Sequence, residues 1–204
     1  MQHTDIPIVD PTPQLAPTAR RLLDAAVRIL DRDGYRGLTY ESIRREAGEN
    51  GALIRYHFGG KAGLISAVVD FVLYSEATEL VSILGAAPPG KQRRETLFRK
   101  HRRVAGSLPT YQRFYELIPN LLRDPELRPK LRDLMRWYRA LDAWALQGDD
   151  GDPQVAEKTD RLAYLTVAVL DGLALQVQAE PELDMGSIFD LWEEFVLQYL
   201  QTEA

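Results

Sequence analysis

Residues 34–61 read GYRGLTYESIRREAGENGALIRYHFGGK, and glycines divide this stretch into short segments. Thr39 can cap a short helix over 40–47, which Gly48 ends, and a second short helix is expected over about 50–57. Two helices of roughly two turns, joined by a short turn that contains glycine, form a helix-turn-helix. The stretch therefore predicts a helix-turn-helix in the first third of the chain.

Helices are predicted on both sides of this motif. Apolar residues recur at helical spacing between Thr18, which can serve as an N-cap, and Gly34, which can end the helix. From Lys61 the apolar positions continue as one longer helix to about Leu84. The remaining helices are expected at about 91–106, 110–122, 125–147, 154–179 and 185–201. Because no alternating strand pattern and no internal repeat occurs, the predicted fold class is all-α, with about nine helices.

The composition excludes several kinds of site. The chain has 204 residues, 45% of them hydrophobic, and contains no cysteine. A disulfide framework, a thiolate zinc site, an iron–sulfur cluster and a cysteine nucleophile are therefore excluded. The three histidines, His3, His57 and His101, lie far apart in sequence, so we expect neither a metal site nor a cofactor.

An enzyme is not expected. The acidic turn over 148–153 lacks metal-ligand spacing, and the glycine pairs lack the strand-loop-helix context of a nucleotide-binding loop. No nucleophile is paired with a recognisable base, and no pair of carboxylates is arranged for acid–base chemistry. We therefore expect no catalytic residues.

The N-terminal residues and the hydropathy predict a cytoplasmic protein without a membrane partner. Residues 1–17 contain four prolines and no Lys or Arg, which is typical of a flexible arm and unlike a secretory signal. The longest apolar stretch, Leu162 to Leu175, is shorter than a membrane span and is interrupted by Asp171 and Gly172.

Charge is distributed unevenly along the chain. Residues 18–70 carry nine Lys/Arg against seven Asp/Glu, whereas residues 71–204 carry sixteen against twenty-one. A mildly basic N-terminal part permits binding to a polyanion but does not by itself establish it. The basic segment 91–103 is interpreted as a solvated helix face paired with acidic neighbours, with a second nucleic-acid surface as the alternative.

The helix-turn-helix stretch resembles the N-terminal domain of the TetR family of transcriptional regulators. The glycine-rich entry, Thr39 at the start of the second helix, the Ala47–Gly48 turn and Phe58 at the end of the third helix fall at the family's spacing. The later helices match the family only in their length, their order and their general pattern of residue types. The resemblance implies a DNA-binding domain over 18–65 and a helical effector-binding and dimerisation domain over 66–204.

The DNA contacts are expected around the third helix, because a short helix can enter the major groove. Gly51, Ala52 and Leu53 lie where the family's base-reading side chains sit, but they offer almost no hydrogen bonding. Arg55 is therefore our candidate for a bidentate contact to guanine, and the phosphate contacts are expected from neighbouring polar side chains. The predicted DNA-binding residues are Thr39, Tyr40, Arg44, Gly51, Ala52, Leu53, Arg55, Tyr56, His57 and Lys61.

Two positions depart from the family pattern. Glu49 stands where an apolar residue is usual, and Arg44 stands where a small residue is usual. Each side chain could loosen the helix packing or turn outward. Arg44 could instead contact a phosphate, while Glu49 near DNA would repel one.

Aromatic residues concentrate in the helices after residue 100. Most are expected in the core, but the resemblance implies that some of them line an effector pocket. The candidate pocket residues are His101, Tyr111, Phe114, Tyr115, Trp137, Tyr138 and Trp144. An acidic effector is favoured if His101, Arg102 or Arg103 points inward.

The last two helices predict a homodimer. Helix 185–201 has one wide apolar face, and helix 154–179 is apolar nearly all the way round, so one face is left for a second partner. We expect a four-helix bundle with the same helices of another subunit; the alternative is a monomer with this face covered by its own chain. The predicted interface residues are Leu165, Val169, Gly172, Ile188, Trp192, Phe195 and Tyr199.

Taken together, the residues and the resemblance predict a ligand-responsive transcriptional regulator. We expect a repressor that binds a palindromic operator in double-stranded DNA and is released by a small-molecule effector. The alternative is an all-α ligand carrier or interaction module in which the helix-turn-helix is structural. An enzyme is the least favoured hypothesis.

Overall fold

The computed structural model describes residues 15–147 and 153–201, and the regular secondary structure of this part of the chain is helical, without a strand. The predicted all-α class is confirmed. The helices are α1 (Pro17–Gly37), α2 (Tyr40–Ala47), α3 (Ala52–Phe58), α4 (Lys61–Val69), α5 (Ser75–Ala86), α6 (Lys91–Ala105), α7 (Leu108–Arg123), α8 (Arg128–Leu146), α9 (Pro153–Ala179) and α10 (Met185–Gln201). Most of the predicted arm over 1–17 and the acidic turn over 148–152 lie outside the described residues.

The described part contains ten α-helices where about nine were predicted, because the expected long helix after Lys61 is divided. Asp70–Tyr74 forms a five-residue π-helical segment between α4 and α5. A π-helical turn holds one residue more than an α-helical turn, so it rotates the following side chains relative to the preceding ones. The periodicity of apolar residues alone does not reveal this insertion.

The first helix begins one residue earlier than predicted. Pro17 occupies the first turn, Ala16 is the N-cap, and the Thr18 hydroxyl accepts a hydrogen bond from Arg21 Nη2 at 3.0 Å instead of capping the backbone. A proline has no amide hydrogen to satisfy and has the helical φ built in, so it suits this position. Gly34 interrupts α1 with φ 67° and ψ −173°, which confirms the break expected there.

The described chain divides into two compact units. The first contains residues 15–79 and 112–133, and the second contains residues 80–111 and 134–201. In the first unit α1 packs against α2, α3 and α4. Its core includes the fully buried side chains Leu22, Leu23, Ile29, Ile43, Ile54 and Leu64. This apolar contact holds the short helices, since isolated helices of two turns are not stable in water.

In the second unit α6 packs against both α9 and α10. The core of this unit includes Leu97, Phe98, Leu141, Phe189 and Val196. The boundary expected at residue 65, between a DNA-binding domain and an effector-binding domain, stays a prediction.

Helix α9 is more apolar than a surface helix. Glu157–Ala179, 23 residues with a mean hydropathy of 1.4, is long and apolar enough to cross a membrane by length and composition, whereas the sequence indicated a stretch too short to do so. Only 28% of its most apolar window is buried within the chain. Tyr164, Leu165 and Leu175 are exposed on this helix. Such an uncovered apolar side also occurs in proteins that associate with themselves.

Candidate functional site

Local hydrogen bonds hold α2 and the turn after it. The Ser42 amide donates to Thr39 Oγ1 at 3.1 Å, and the Thr39 amide donates to Ser42 Oγ at 3.0 Å, which is a reciprocal capping arrangement. Gly48 ends α2 in the left-handed conformation, with φ 66°. The Asn50 side chain then accepts from the Ala52 amide at 2.9 Å at the start of α3. These contacts confirm the predicted cap and the predicted helix end.

The surface formed by residues 39–61, here called the recognition surface, leaves α3 open to solvent. Arg55 is exposed and, within the described residues, its side chain makes no hydrogen bond or ion pair. Tyr56 is 80% exposed, and its ring contacts the His57 ring edge-on at 4.9 Å between centroids. Ile54 is fully buried and anchors the opposite side of the helix. An exposed arginine on a short anchored helix has the geometry needed to reach a base edge.

A second group on the recognition surface lies where α4 begins. The Lys61 amide donates to the Tyr40 hydroxyl at 3.0 Å. The Lys61 ammonium lies over the Tyr35 ring, 5.7 Å from its centroid, within the range of a cation–π contact. The starts of α2 and α4 are thereby connected. A lysine and a tyrosine held in this way could contact phosphate oxygens on the groove wall.

The two departures from the family pattern have different surroundings. Arg44 turns outward and pairs with Glu41, with Nη2 to Oε1 at 2.7 Å. This hydrogen bond raises the pKa of Arg44 and lowers the pKa of Glu41. Glu49 is half-buried and accepts from Arg21 Nε at 2.7 Å on α1. Glu49 therefore joins α1 to the turn before α3, so it does not loosen the packing.

The remaining predicted DNA-binding residues also lie on the recognition surface. Thr39 and Ala52 are exposed, and Gly51, Leu53 and His57 are half-buried. All ten predicted residues lie in the first unit. The structure brings them together in one region, but their contacts with DNA stay a prediction.

The candidate pocket residues do not form one group. His101 and Tyr111 are buried in the second unit, where Trp137 and Tyr138 form an edge-on pair with centroids 5.1 Å apart. Trp144 packs under the Arg93 guanidinium, 4.3 Å from the ring centroid. Phe114 and Tyr115 are half-buried and belong to the first unit.

Two carboxylates that the sequence analysis did not select lie beside His101 and Tyr111. The His101 Nε2 atom lies 3.3 Å from Asp142 Oδ1, and the Tyr111 hydroxyl donates to Asp171 Oδ1 at 3.3 Å. Burial raises the pKa of Asp171 to about 6; donation from Tyr111 and the nearby His101 lower it, and the nearby Asp142 raises it further. We call these four side chains the buried quartet; His101, Tyr111 and Asp142 are buried and Asp171 is half-buried. Asp171 carried a signal in the sequence, since it is the only charge within a long apolar run.

The basic segment on α6 is paired as predicted, at least in part. Arg102 forms ion pairs with Asp190 and Glu193 on α10, and Lys91 lies 3.7 Å from Glu95. Arg103 is exposed. Of the three basic residues considered for an acidic effector, only His101 is buried, and it faces a carboxylate.

The predicted interface residues lie on the side of α9 and α10 that the chain leaves partly uncovered. Leu165 is 51% exposed and Phe195 is 50% exposed, and open space surrounds the Cα of Gly172. Trp192, Phe195 and Tyr199 stack in sequence along α10, with centroids 5.4 Å and 6.5 Å apart. Val169 and Ile188 are half-buried. Exposed apolar residues outside the predicted set are Tyr164, Leu175 and Leu191.

Comparisons with known proteins match the fold and the motif. Residues 22–68 match the family model described as bacterial regulatory proteins, tetR family. The chain is 27% identical over 193 residues to the HTH-type transcriptional regulator BetI of Rhizobium meliloti (strain 1021), covering 93% of each chain.

Solved structures with the same fold include regulators and a drug-binding protein. The multidrug binding protein EbrR in complex with imidazole has a TM-score of 0.70 at 23% identity, covering 93% of this chain and 98% of that one. EbrR has also been solved with ethidium, at a TM-score of 0.62 and 25% identity, covering 90% and 98%. A TetR family member from Streptomyces coelicolor A3 has a TM-score of 0.64 at 23% identity, covering 92% and 100%.

The matched residues 22–68 run from α1 into α4 and include the whole helix-turn-helix. The relative from Rhizobium meliloti extends the similarity over nearly the full length. The N-terminal part of the chain therefore carries the DNA-binding domain of the TetR family of transcriptional regulators, in which α2 and α3 form the helix-turn-helix.

Proposed function

We propose that the protein is a homodimeric repressor that binds a palindromic operator and is released by a small-molecule effector. The observation that carries the proposal is the open recognition surface, on which Arg55 and Tyr56 are exposed on α3 while Ile54 anchors the helix. Side chains exposed on the groove-facing side of a recognition helix can read base edges. We expect such a protein in the cytoplasm.

The uncovered apolar residues of α9 and α10 support the dimer. Six large apolar side chains on these two helices are exposed: Tyr164, Leu165, Leu175, Leu191, Phe195 and Tyr199. A monomer would leave this apolar area in water, and a second copy can cover it with the same residues around a two-fold axis. Two recognition helices related by such an axis require an operator with two-fold symmetry.

Helix α7 supports a link between effector and operator. Within the second unit its Tyr111 belongs to the buried quartet. Two residues later, within the first unit, Arg113 Nε donates to Asp31 Oδ1 on α1 at 2.6 Å. Glu116 Oε2 accepts from the Tyr35 amide at 3.0 Å, directly after the break in α1 at Gly34. A ligand that prefers one position of α7 would therefore change the population of the DNA-binding arrangement.

Selection from a random DNA pool tests the operator. We expect an inverted repeat whose half-sites lie about 34–36 Å apart or a multiple of that distance. A recovered motif without two-fold symmetry would contradict the proposal. Light scattering at micromolar concentration tests the dimer, since a stable mass near the 23.1 kDa of one chain would contradict it.

The release step has its own test. A compound found to bind by thermal shift is added to the complex of protein and selected operator, and DNA release is followed by fluorescence anisotropy. We expect the compound to weaken operator binding, because it binds more tightly to the arrangement of the protein that does not bind DNA. Ligands that bind the protein without changing operator affinity would contradict effector control. The solved complexes of EbrR with imidazole and ethidium support a small-molecule site in this fold.

A further inference from the structure

The buried quartet collects polar groups from four helices in the second unit. His101 comes from α6, Tyr111 from α7, Asp142 from α8 and Asp171 from α9. Asp142 is 1% exposed and His101 is 4% exposed. Four helices therefore bring titratable side chains together in the second unit, whose core also includes Phe98 and Leu141.

Hydrogen bonding within the buried quartet is incomplete. In the part of the chain that the structure describes, neither Asp142 Oδ2 nor His101 Nδ1 has a hydrogen-bond partner. A buried carboxylate oxygen without a donor is costly, because folding removes its water without replacing it. Proteins keep such groups where another molecule completes the bonding.

The charge of the buried quartet is also unbalanced. It contains two carboxyl groups and one imidazole, and His101 and Asp142 are among the charged groups that act on Asp171. With both carboxyl groups ionised, the net charge is negative whether or not the imidazole is protonated. An anionic occupant would add repulsion, whereas a cationic occupant would restore balance.

A metal ion does not suit these groups. Among the described residues no set of three or more His, Asp or Glu side chains is arranged to hold one. The missing element is a donor for Asp142 Oδ2, which an N–H of an ammonium group can supply. Tyr138 lies one helical turn before Asp142 on α8, and Phe98 lies three residues before His101 on α6. These rings could contact an apolar or aromatic part of the same molecule.

We infer that the buried quartet is the subsite for the charged nitrogen of the effector, and that the effector is an organic ammonium cation with N–H donors. The ammonium group donates to Asp142 Oδ2 and is neutralised by Asp171. The role of the bound cation as an effector rests on the proposed function, while the cation site itself is independent of DNA binding.

Titration calorimetry at pH 7.5 tests the charge of the ligand. The probes are phenethylamine with its N-methyl and N,N-dimethyl derivatives, the neutral 2-phenylethanol and the anionic 3-phenylpropionate. We expect the amines to bind the full-length protein and the neutral and anionic probes to bind at least about tenfold more weakly, the loss typical of one charge-assisted hydrogen bond. Binding of the anion as tight as that of the amines, or no binding by any amine, would overturn the inference.

Variants locate the site. Asp142→Asn and Asp171→Asn should each weaken amine binding by about 10- to 100-fold, because each removes a charge that faces the ammonium group. Asp160→Asn is the matched control, since it changes an exposed aspartate on α9 and should leave binding unchanged. Amine affinities that are equal in all three variants would overturn the inference.

A measurement on the unmodified protein covers the case of a variant that fails to fold. Two-dimensional spectra of the histidine rings should show a shift at His101 on addition of phenethylamine, with no change at His57, a half-buried residue of the helix-turn-helix in the first unit. An unshifted His101 ring under saturating amine would overturn the inference.

The same samples separate this inference from the proposed function. Operator binding is measured by anisotropy without any amine, so its absence contradicts the regulator while the amine titration still stands. An amine that binds at the buried quartet without releasing operator leaves the cation site intact and contradicts effector control. The two failures are therefore distinguishable.

Discussion

The recognition surface and the buried quartet both contain charged side chains, but the free energy of keeping those side chains charged differs strongly between the two regions. On the recognition surface Arg44 and Glu41 form an exposed ion pair, in which each group favours the charged form of the other. In the buried quartet, burial outweighs the nearby imidazole and raises the pKa of Asp171 to about 6. Water solvates the first pair and is excluded from much of the second group.

This difference indicates which kind of binding partner each region can accept. An exposed arginine can leave its carboxylate partner for a phosphate at little cost, because water solvates the free partner. A buried carboxylate cannot be left alone, so a ligand that completes its bonding gains affinity. The recognition surface is thus suited to reversible contact with a polyanion, and the buried quartet to selective capture of a small cation.

Substitution of Asp171 should have the largest effect. Because its folded pKa is raised from 3.8 to about 6, the stability that the protonated form contributes is complete below about pH 4 and is lost as the pH rises through 6. Asp171→Asn should therefore stabilise the protein by up to about 3 kcal/mol at pH 7.5 and by little at pH 4. Thermal unfolding at both pH values measures this.

Asp160→Asn serves as the control for that experiment, since this aspartate is exposed on the same helix. A stabilisation by Asp171→Asn of the same size at both pH values would contradict the assigned cause, because desolvation of the carboxylate acts only when it is ionised.

Loss of Arg55 should have the next largest effect, this time on DNA. Arg55→Ala should weaken binding to the selected operator by roughly 1–3 kcal/mol and relax the preference at one base pair, because a bidentate contact to guanine is removed. Fluorescence anisotropy with operators substituted at each position measures both. Equal losses on operator and on scrambled DNA would make Arg55 a phosphate contact.

Loss of Lys61 should have a smaller effect that is independent of sequence. Lys61→Ala should weaken binding to all DNA alike and reduce the slope of log affinity against log salt by about 1, because one phosphate contact and its released counterion are lost. Anisotropy titrations at several salt concentrations measure the slope. An unchanged slope would show that Lys61, which lies over the Tyr35 ring, does not contact DNA.

The smallest effect is expected for the exposed pair on α2. Glu41→Ala should leave the unfolding temperature unchanged within error, because water replaces the lost partner of Arg44. Differential scanning calorimetry measures it. A clear drop in the unfolding temperature would mean that this pair is less solvated than its exposure indicates.

Local features of the site were predictable from the sequence. The Thr39 cap, the Gly34 break, the Gly48 helix end and the outward position of Arg55 depend on residues close together in the chain. Capping, glycine conformation and apolar spacing act over one or two helical turns, so a sequence displays them directly.

Other features were missed. Thr18 was wrongly expected to cap α1, because Pro17 already begins the helix, and the π-helical segment Asp70–Tyr74 was not foreseen. Asp142 was not selected from the sequence, because the residue it pairs with, His101, lies on another helix.

The all-α class, the helix-turn-helix and the exposed position of Arg55 could be predicted without the structure, because these follow from patterns repeated every few residues. Which charged residues of α6 point inward depends on the packing of the helices around it. Arg102 is held by acidic residues of α10, while His101 faces Asp142. Neighbouring positions on α6 thus have opposite environments. The burial of a side chain and the residues it contacts depend on which helices pack against each face of α6. A short-range sequence pattern does not show which helices these are.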